Sequence, residues 1–164
     1  MLHFVISMEQ IYCSCLIYNH KDEGDYMSDL VQPKNAHVEQ RLRSDYIVWF
    51  NSVRPDGRPH SVPVWFLWDG STFLIFSIPN NQKIRNLQHN PHVVVTLDDT
   101  KHGDDVTVVE GKAELLNDAN LSTTLSAYAE KYAPLLKEMG WTPESMAADY
   151  SQAIRVTPTK FLGF

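Results

Sequence analysis

The fold is decided within residues 46–78, which read YIVWFNSVRPDGRPHSVPVWFLWDGSTFLIFSI. Aromatic and β-branched residues favour strands, and they fill three segments, 46–53, 60–68 and 72–78. Residues 54–59 separate the first two segments and form a turn, in which proline presets one dihedral angle and Asp-Gly supplies a positive φ. Asp69-Gly70 is a two-residue hairpin signal between the second and third segments. This stretch therefore predicts three successive antiparallel strands.

Three more strands and four helices are predicted outside this stretch. The strands are 93–97, 106–116 and 153–164, and the helices are 34–43, 80–90, 119–138 and a patch around 143–150. Residues 93–97 begin with three valines, so we expect this strand to be buried on both faces. Closing a sheet of about six hairpin-linked strands removes its exposed edges. We predict a mainly β, α+β fold, a six-stranded antiparallel barrel with helices outside it.

Composition limits the function classes. The chain has 164 residues and a net charge of −6, with 43% hydrophobic residues, which fits one globular domain with a sizeable core. A protein whose main partner is nucleic acid usually has a basic face, so the acidic balance argues against that partner. Apolar runs stay well below the roughly 18 residues that a membrane span needs. Any anion site must therefore be built locally from a few residues.

The first 26 residues differ from the rest. They contain both cysteines, Cys13 and Cys15, which are too close and too few for a disulfide framework. The segment opens apolar but lacks a basic start, so it is a poor secretory signal, and we expect a cytoplasmic protein. We interpret residues 1–26 as an N-terminal extension that need not be native, because Met27 offers a second start site, and residues 27–164 as the domain.

One candidate binding site lies where the third strand gives way to a helix. Lys83 and Arg85 stand in the opening turns of that helix, at the end where its free N–H groups disfavour cations. A phosphate there would meet backbone N–H groups and two positive charges together. The alternative is that both side chains point into water.

A second candidate lies on the second strand. Pro63 cannot donate a hydrogen bond in a sheet, so it marks an edge or a bulge, where backbone groups are free for a ligand. Trp65, two residues on, could stack on a planar ring. The alternative is an edge strand with a tryptophan that only packs against the protein.

Other chemistry finds little support in the sequence. His89 and His92 are separated by Asn90-Pro91 and lack a third ligand at zinc-like spacing, so we predict no metal site. The chain has no nucleophile elbow, Walker loop or dinucleotide-binding glycine pattern. We name no catalytic residue.

Several segments together resemble the pyridoxamine 5′-phosphate oxidase-like superfamily of flavin-binding split barrels. They are residues 56–66, Asp69-Gly70, residues 83–87, Asn90-Pro91 and Glu110-Gly111-Lys112-Ala113. Residues 141–144, 154–158 and Gly163-Phe164 are similar to a subgroup described as probable enzymes that depend on the deazaflavin F420. The likeness runs from about residue 36 to the end, and residues 1–26 have no counterpart in it.

The resemblance implies a split β-barrel that forms a homodimer, with two cofactors at the subunit interface. It assigns Lys83 to the cofactor phosphate, with Arg85 and Asn86 in the same segment and Ser77 as a phosphate-side hydroxyl. Asn81 stands where some relatives have a second phosphate-binding arginine. Residues that border the ring or approach the cofactor are Val62, Pro63, Val64, Trp65 and His60.

The implied function is oxidoreduction. We expect an F420-dependent reductase that transfers a hydride between the cofactor and a small unsaturated or quinone-like substrate, with FMN as the alternative cofactor. Arg54 and Arg58 are candidates for the acidic tail that F420 carries and FMN lacks. The rival interpretations are a non-catalytic protein that binds flavin, deazaflavin or haem, and an interaction barrel without a cofactor.

Overall fold

The computed structural model describes residue 33 and residues 35–98, 102–117 and 122–163. The helices are α1 (Ala36–Ser44), α2 (Gln82–Leu87), α3 (Ser122–Met139) and α4 (Pro143–Asp149). The strands are β1 (Ile47–Val53), β2 (Pro59–Trp65), β3 (Leu67–Trp68), β4 (Phe73–Ser77), β5 (His92–Leu97), β6 (Thr107–Leu116) and β7 (Gln152–Gly163). The predicted elements are all found, with ends that shift by a few residues. The extension 1–26, with both cysteines, lies outside the described residues.

The strands form one antiparallel sheet in the order β2-β1-β5-β6-β7-β4-β3. The two edge strands, β2 and β3, are consecutive in the chain and only Phe66 separates them. The sheet must therefore curl until its two edges meet at Phe66, which produces a split barrel. The fold class is confirmed. The strand count rises from six to seven because the predicted strand 60–68 is broken at Phe66.

The break at Phe66 is held by side chains of α3. The Tyr132 hydroxyl accepts a hydrogen bond from the Phe66 N–H at 2.7 Å and lies 2.7 Å from the carbonyl oxygen of Tyr46, to which it can donate. Lys131 Nζ donates to the Phe66 carbonyl at 3.1 Å and sits 3.9 Å above the Phe66 ring, and burial lowers its pKa to about 8. Side chains of α3 thus bond the N–H and carbonyl groups of Phe66, which in a continuous strand would be paired with neighbouring strands.

The barrel interior is one apolar cluster that draws on every strand and on two helices. Leu42 of α1 and Ile84 and Leu87 of α2 reach into it. Strand β5 contributes alternate residues, Val93, Val95 and Leu97. The prediction that this strand is buried on both faces is wrong: Val94 and Thr96 are only partly buried because they face outward.

A second apolar cluster lies outside the barrel, beneath α3 and α4. Tyr128, Tyr132 and Leu136 of α3 and Met146 of α4 pack on the outward residues of β4 and β7, which are Leu74, Phe76 and Ala153. Thus the long helix is fixed to the sheet on the side where the edges β2 and β3 meet. None of the helices in the described segments is long and apolar enough to cross a bilayer.

We expect Gly111→Ala to destabilise the fold by about 1–3 kcal/mol, because a methyl group there has no room. Gly111 lies at the register shift between β6 and β7, and a Cβ would come 2.7 Å from Val156 Cγ1 and 2.9 Å from the Thr157 carbonyl oxygen. Urea unfolding of this variant beside Lys112→Ala, an exposed neighbour, measures the difference. Equal midpoints for the two variants would contradict this packing.

Candidate functional site

A pocket of about 250 Å³ opens outside the barrel at the free edge of β2. Strand β2, helix α2 and the α3–α4 region enclose it. Its walls are Ile47, Pro63, Val64, Trp65, Phe76, Lys83, Tyr128, Met139, Trp141, Met146 and Tyr150. Of these described residues only Lys83 carries a formal charge, so the pocket is mainly apolar and aromatic with one cation.

The turn into α2 is fixed by polar contacts within the protein. Asn81 caps the helix: its side chain accepts from the Ile84 N–H at 3.3 Å and donates to the Ser77 hydroxyl at 2.8 Å. Ser77 is fully buried and donates in turn to the Ile78 carbonyl. Asn80 adopts a φ of 61°, in the left-handed region that asparagine tolerates. Helix α2 is shorter than the predicted 80–90, so side-chain charge rather than a helix dipole must attract an anion.

Asn86 is anchored inside the protein. Its side chain is fully buried, donates to the Ser52 hydroxyl at 2.9 Å and accepts from Gln82 at 2.7 Å. Ser52 is the cross-strand partner of His60. Asn86 therefore joins α2 to the β1–β2 ribbon beside His60, and this brings Lys83 into the same corner.

Three basic residues share that corner, and we call Arg54, His60 and Lys83 the cationic corner. Burial, followed by the charges of Arg54 and Lys83, lowers the pKa of His60. Burial also lowers the pKa of Lys83, which makes no ion pair within the described part of the chain. His60 Nδ1 and Arg54 Nε are buried without a hydrogen-bond partner. Unpartnered buried polar atoms are costly, so this corner is suited to an anion.

We expect the His60 imidazole to titrate below its ordinary pKa of about 6.5 in the free protein. The unfolded chain then binds the proton more readily, so His60 reduces stability as the pH falls below about 6.5 and has no such effect above it. Inorganic phosphate in the corner should raise this pKa. NMR titration of the ring protons, assigned through His60→Gln, measures both values; a pKa of 6.5 or higher without phosphate would contradict this electrostatic account.

The other arginines near the site are already paired. Arg85 donates to the Asn80 carbonyl at 2.5 Å and to Gln82 at 2.9 Å, so its guanidinium folds back on the start of α2. Arg58 pairs with Asp56 at 2.7 Å in the first turn and is exposed. Neither lines the pocket, and the structure brings only Lys83 of the predicted phosphate segment to its wall.

Strand β2 divides its residues between core and pocket. Pro63 and Trp65 lie on the outer face, and Trp65 stacks on the Tyr132 ring at 4.4 Å with nearly parallel planes. Val64 is buried yet borders the pocket, whereas Val62 packs against the barrel core. Pro63 lies on an edge strand, as its sequence context predicted.

Several pocket residues were not singled out as site residues from the sequence. Met139 and Trp141 flank Gly140, Tyr128 lies on α3 and Met146 on α4, and Tyr150 is the C-cap of α4. Helical periodicity does not distinguish an aromatic residue that faces a ligand from one in the core. The only sequence signal for this wall is that a glycine and a tryptophan, Gly140 and Trp141, directly follow the end of a helix. Within the described residues, no three His, Cys, Asp or Glu side chains are grouped so that they could hold a metal ion.

Known proteins with this architecture include both enzymes and binding proteins. An F420 reductase is 27% identical with a TM-score of 0.61, over 76% of this chain and 94% of that chain. An FAD-binding protein from Mesorhizobium loti is 21% identical, with a TM-score of 0.58, over 79% and 93%. The haem storage protein HutZ from Vibrio cholerae is 14% identical, with a TM-score of 0.61, over 77% and 92%. The last two share the fold alone.

No curated protein matches the chain significantly. The sequence model of the pyridoxamine 5′-phosphate oxidase family, however, matches residues 35–163, which is nearly all of the barrel and its helices. The chain therefore belongs to the pyridoxamine 5′-phosphate oxidase family.

Proposed function

We propose that this protein is an F420-dependent oxidoreductase that reduces a small unsaturated or quinone-like substrate. The observation that carries the proposal is the cationic corner, which stands beside an apolar pocket and holds two buried polar atoms without partners. The cationic corner and the apolar pocket together suit a ligand with a phosphate at one end and a flat ring at the other.

The residues present fit such a cofactor. Lys83 supplies a charge that no carboxylate of the described segments neutralises, and His60 Nδ1 supplies an unpaired nitrogen. We assign the cofactor phosphate to these two side chains, because a charge-assisted hydrogen bond is roughly twice as strong as a neutral one. Arg54 adds a second cation for the acidic tail of F420. Asn86 and Ser77 act by positioning α2, since their polar atoms are bonded within the protein.

The ring of the cofactor belongs at the free edge of β2 in this proposal. Pro63, Val64 and Trp65 line the pocket there, and β2 pairs with a strand on one side only. When bound, the cofactor would supply the redox chemistry, transfer of a hydride to the substrate, with water as the proton source. Aromatic side chains line that place, and the stack of Trp65 on Tyr132 forms the ring-side surface.

The preference for F420 over FMN rests on two observations. The F420 reductase shares 27% sequence identity with this chain, whereas the FAD-binding protein shares 21% and the haem storage protein 14%. The corner also holds two cations, Arg54 and Lys83, which suits a ligand with more negative charge than one phosphate. FMN remains the alternative because it has the same ribityl phosphate. The proposal retains the cytoplasmic location predicted from sequence.

We further propose that the working unit is a homodimer. The outer face of β1 exposes Ile47, Trp49 and Val53 to 50%, 44% and 36%, an apolar stripe that water does not favour. The pocket of one chain is smaller than the roughly 300 Å³ at which ligand pockets begin. Ile47 and Pro63 also line a neighbouring groove of about 510 Å³, so a second copy over β1 would complete the enclosure.

Parallel fluorescence titrations of the purified protein with F420 and with FMN test the proposal. We expect saturable binding of both and tighter binding of F420, with a sedimentation mass of two chains. Reduced F420 should then be oxidised when a quinone is added. Tight binding without turnover would assign the protein to storage or delivery, and failure to bind either cofactor would overturn the proposal.

A further inference from the structure

Two residues of the pocket wall, Met139 at the end of α3 and Trp141 just after it, have no evident structural task. Met139 and Trp141 are 49% and 36% exposed, although both border the pocket. The packing of this corner on the sheet is done by other residues, Leu136 and Met146, each 3% exposed. Large apolar side chains that stay half-exposed beside a pocket indicate a ligand surface better than a core.

Two helix caps hold Trp141 in place. Gly140 ends α3 with a φ of 68°, and the Gly140 and Trp141 N–H groups bond to the carbonyls of Lys137 and Leu136 at 3.2 and 2.8 Å. Thr142 then starts α4 with a capping box to Ser145, and Pro143 follows as the first helical residue. Trp141 is the single residue between the two caps, so its backbone is fixed beside the pocket before any ligand arrives.

The chemistry of this wall is apolar and soft. Two thioethers, Met139 and Met146, accompany the Trp141 ring, which lies 6.0 Å from the Tyr150 ring. Burial raises the pKa of the nearby Tyr128 well above its ordinary value, so that hydroxyl stays neutral. The one cation among the described residues of the pocket wall, Lys83, is assigned to the cofactor phosphate. An anionic substrate would therefore lose its hydration against this wall without gaining a partner, while a flat apolar ring would gain aromatic and sulfur contacts.

We propose that Trp141 determines substrate specificity, and that with Met139 and Met146 it selects flat, uncharged, apolar ring substrates over anionic ones of the same shape. The inference rests on the proposed oxidoreductase function and deepens it by naming the substrate class. Trp141 acts here through binding alone, since it has no group that could move a proton.

The test compares two quinones of one shape, 1,4-naphthoquinone and its 2-sulfonate, with the F420-loaded protein. In Trp141→Ala we expect KM for the uncharged quinone to rise about 10-fold, with kcat within about twofold and the F420 dissociation constant unchanged. Trp141→Phe should recover most of the loss because it keeps an aromatic face. Glu138→Ala, an exposed neighbour outside the pocket wall, is the matched control.

A second readout is independent of turnover. The indole N–H resonance that disappears in Trp141→Phe should shift when 1,4-naphthoquinone is added to the protein, and shift less with the sulfonate. If F420 binds and is turned over but KM for the uncharged quinone is unchanged in Trp141→Ala, the specificity inference is overturned and the proposed function stands. If no cofactor binds, the proposed function is overturned and the specificity inference, which rests on it, goes with it.

Discussion

Replacing Lys83 by alanine should weaken binding of the phosphate-bearing cofactor by about 1.5–3 kcal/mol, or about 10- to 150-fold, the range of a charged hydrogen bond. Lys83 is the one charged side chain among the described residues of the pocket wall. It is partly buried, its pKa is lowered by that burial, and no carboxylate within the described segments offsets its charge. Isothermal titration with F420 and with FMN gives the two dissociation constants for each variant.

Lys112→Ala is the matched control, because Lys112 is an exposed lysine of β6 that does not line the pocket. It should bind both cofactors as the wild type does. Lys83→Arg should retain part of the affinity, since it keeps the charge while changing the shape of the donor group. Identical dissociation constants for Lys83→Ala and Lys112→Ala would refute the phosphate role of Lys83.

Tyr132→Phe should lower the free energy of unfolding by about 2–4 kcal/mol. Leaving the buried Phe66 N–H without a partner costs about 1–3 kcal/mol, and losing the hydrogen bond to the part-buried Tyr46 carbonyl costs about 1 kcal/mol more. The hydroxyl is the acceptor for the Phe66 N–H and lies within 2.7 Å of the Tyr46 carbonyl. Removing it leaves both backbone groups without that partner at the point where the barrel closes. The hydroxyl also lies 2.9 Å from the Phe66 carbonyl oxygen, but Lys131 still donates to that carbonyl, so the loss falls mainly on the Phe66 N–H and the Tyr46 carbonyl.

Chemical denaturation measures this cost, and Tyr46→Phe serves as its control. That variant also loses one hydroxyl, from a ring that is 38% exposed, while its backbone carbonyl still faces Tyr132. Its stability should stay within about 0.5 kcal/mol of the wild type, as for most surface changes. A Tyr132→Phe protein as stable as Tyr46→Phe would show that the hydroxyl does not hold the break at Phe66.

The strands of this protein follow from local signals, and the break in β2–β3 does not. The hairpin at Asp69-Gly70 and the edge position of Pro63 depend on residues close in sequence, so composition and spacing reveal them. The break at Phe66 depends on Tyr132, which is 66 residues away. Nothing local distinguishes Phe66 from its apolar neighbours, so the sequence predicts one strand where the structure has two.

The site residues also divide into those that local sequence signals reveal and those that only long-range packing places in the pocket. Lys83, Trp65 and Pro63 stand out locally as a cation at a helix start, an aromatic residue and a strand breaker, and all three reach the pocket. Asn86 and Arg85 come from the same segment but turn to partners inside the protein or along α2. Conversely, Trp141 joins the pocket only because α3 folds back over β4, which no spacing in the sequence expresses.

In the proposed function the cationic corner holds the phosphate of the cofactor. A crystal structure of the protein with F420 or FMN, whichever binds more tightly, would locate that phosphate. We expect phosphate oxygens within about 3.2 Å of Lys83 Nζ, and within the same distance of His60 Nδ1 once a turn of the imidazole exposes that buried atom, with the ring along Pro63 to Trp65. A phosphate bound elsewhere, with Lys83 and His60 still without a partner, would contradict this assignment.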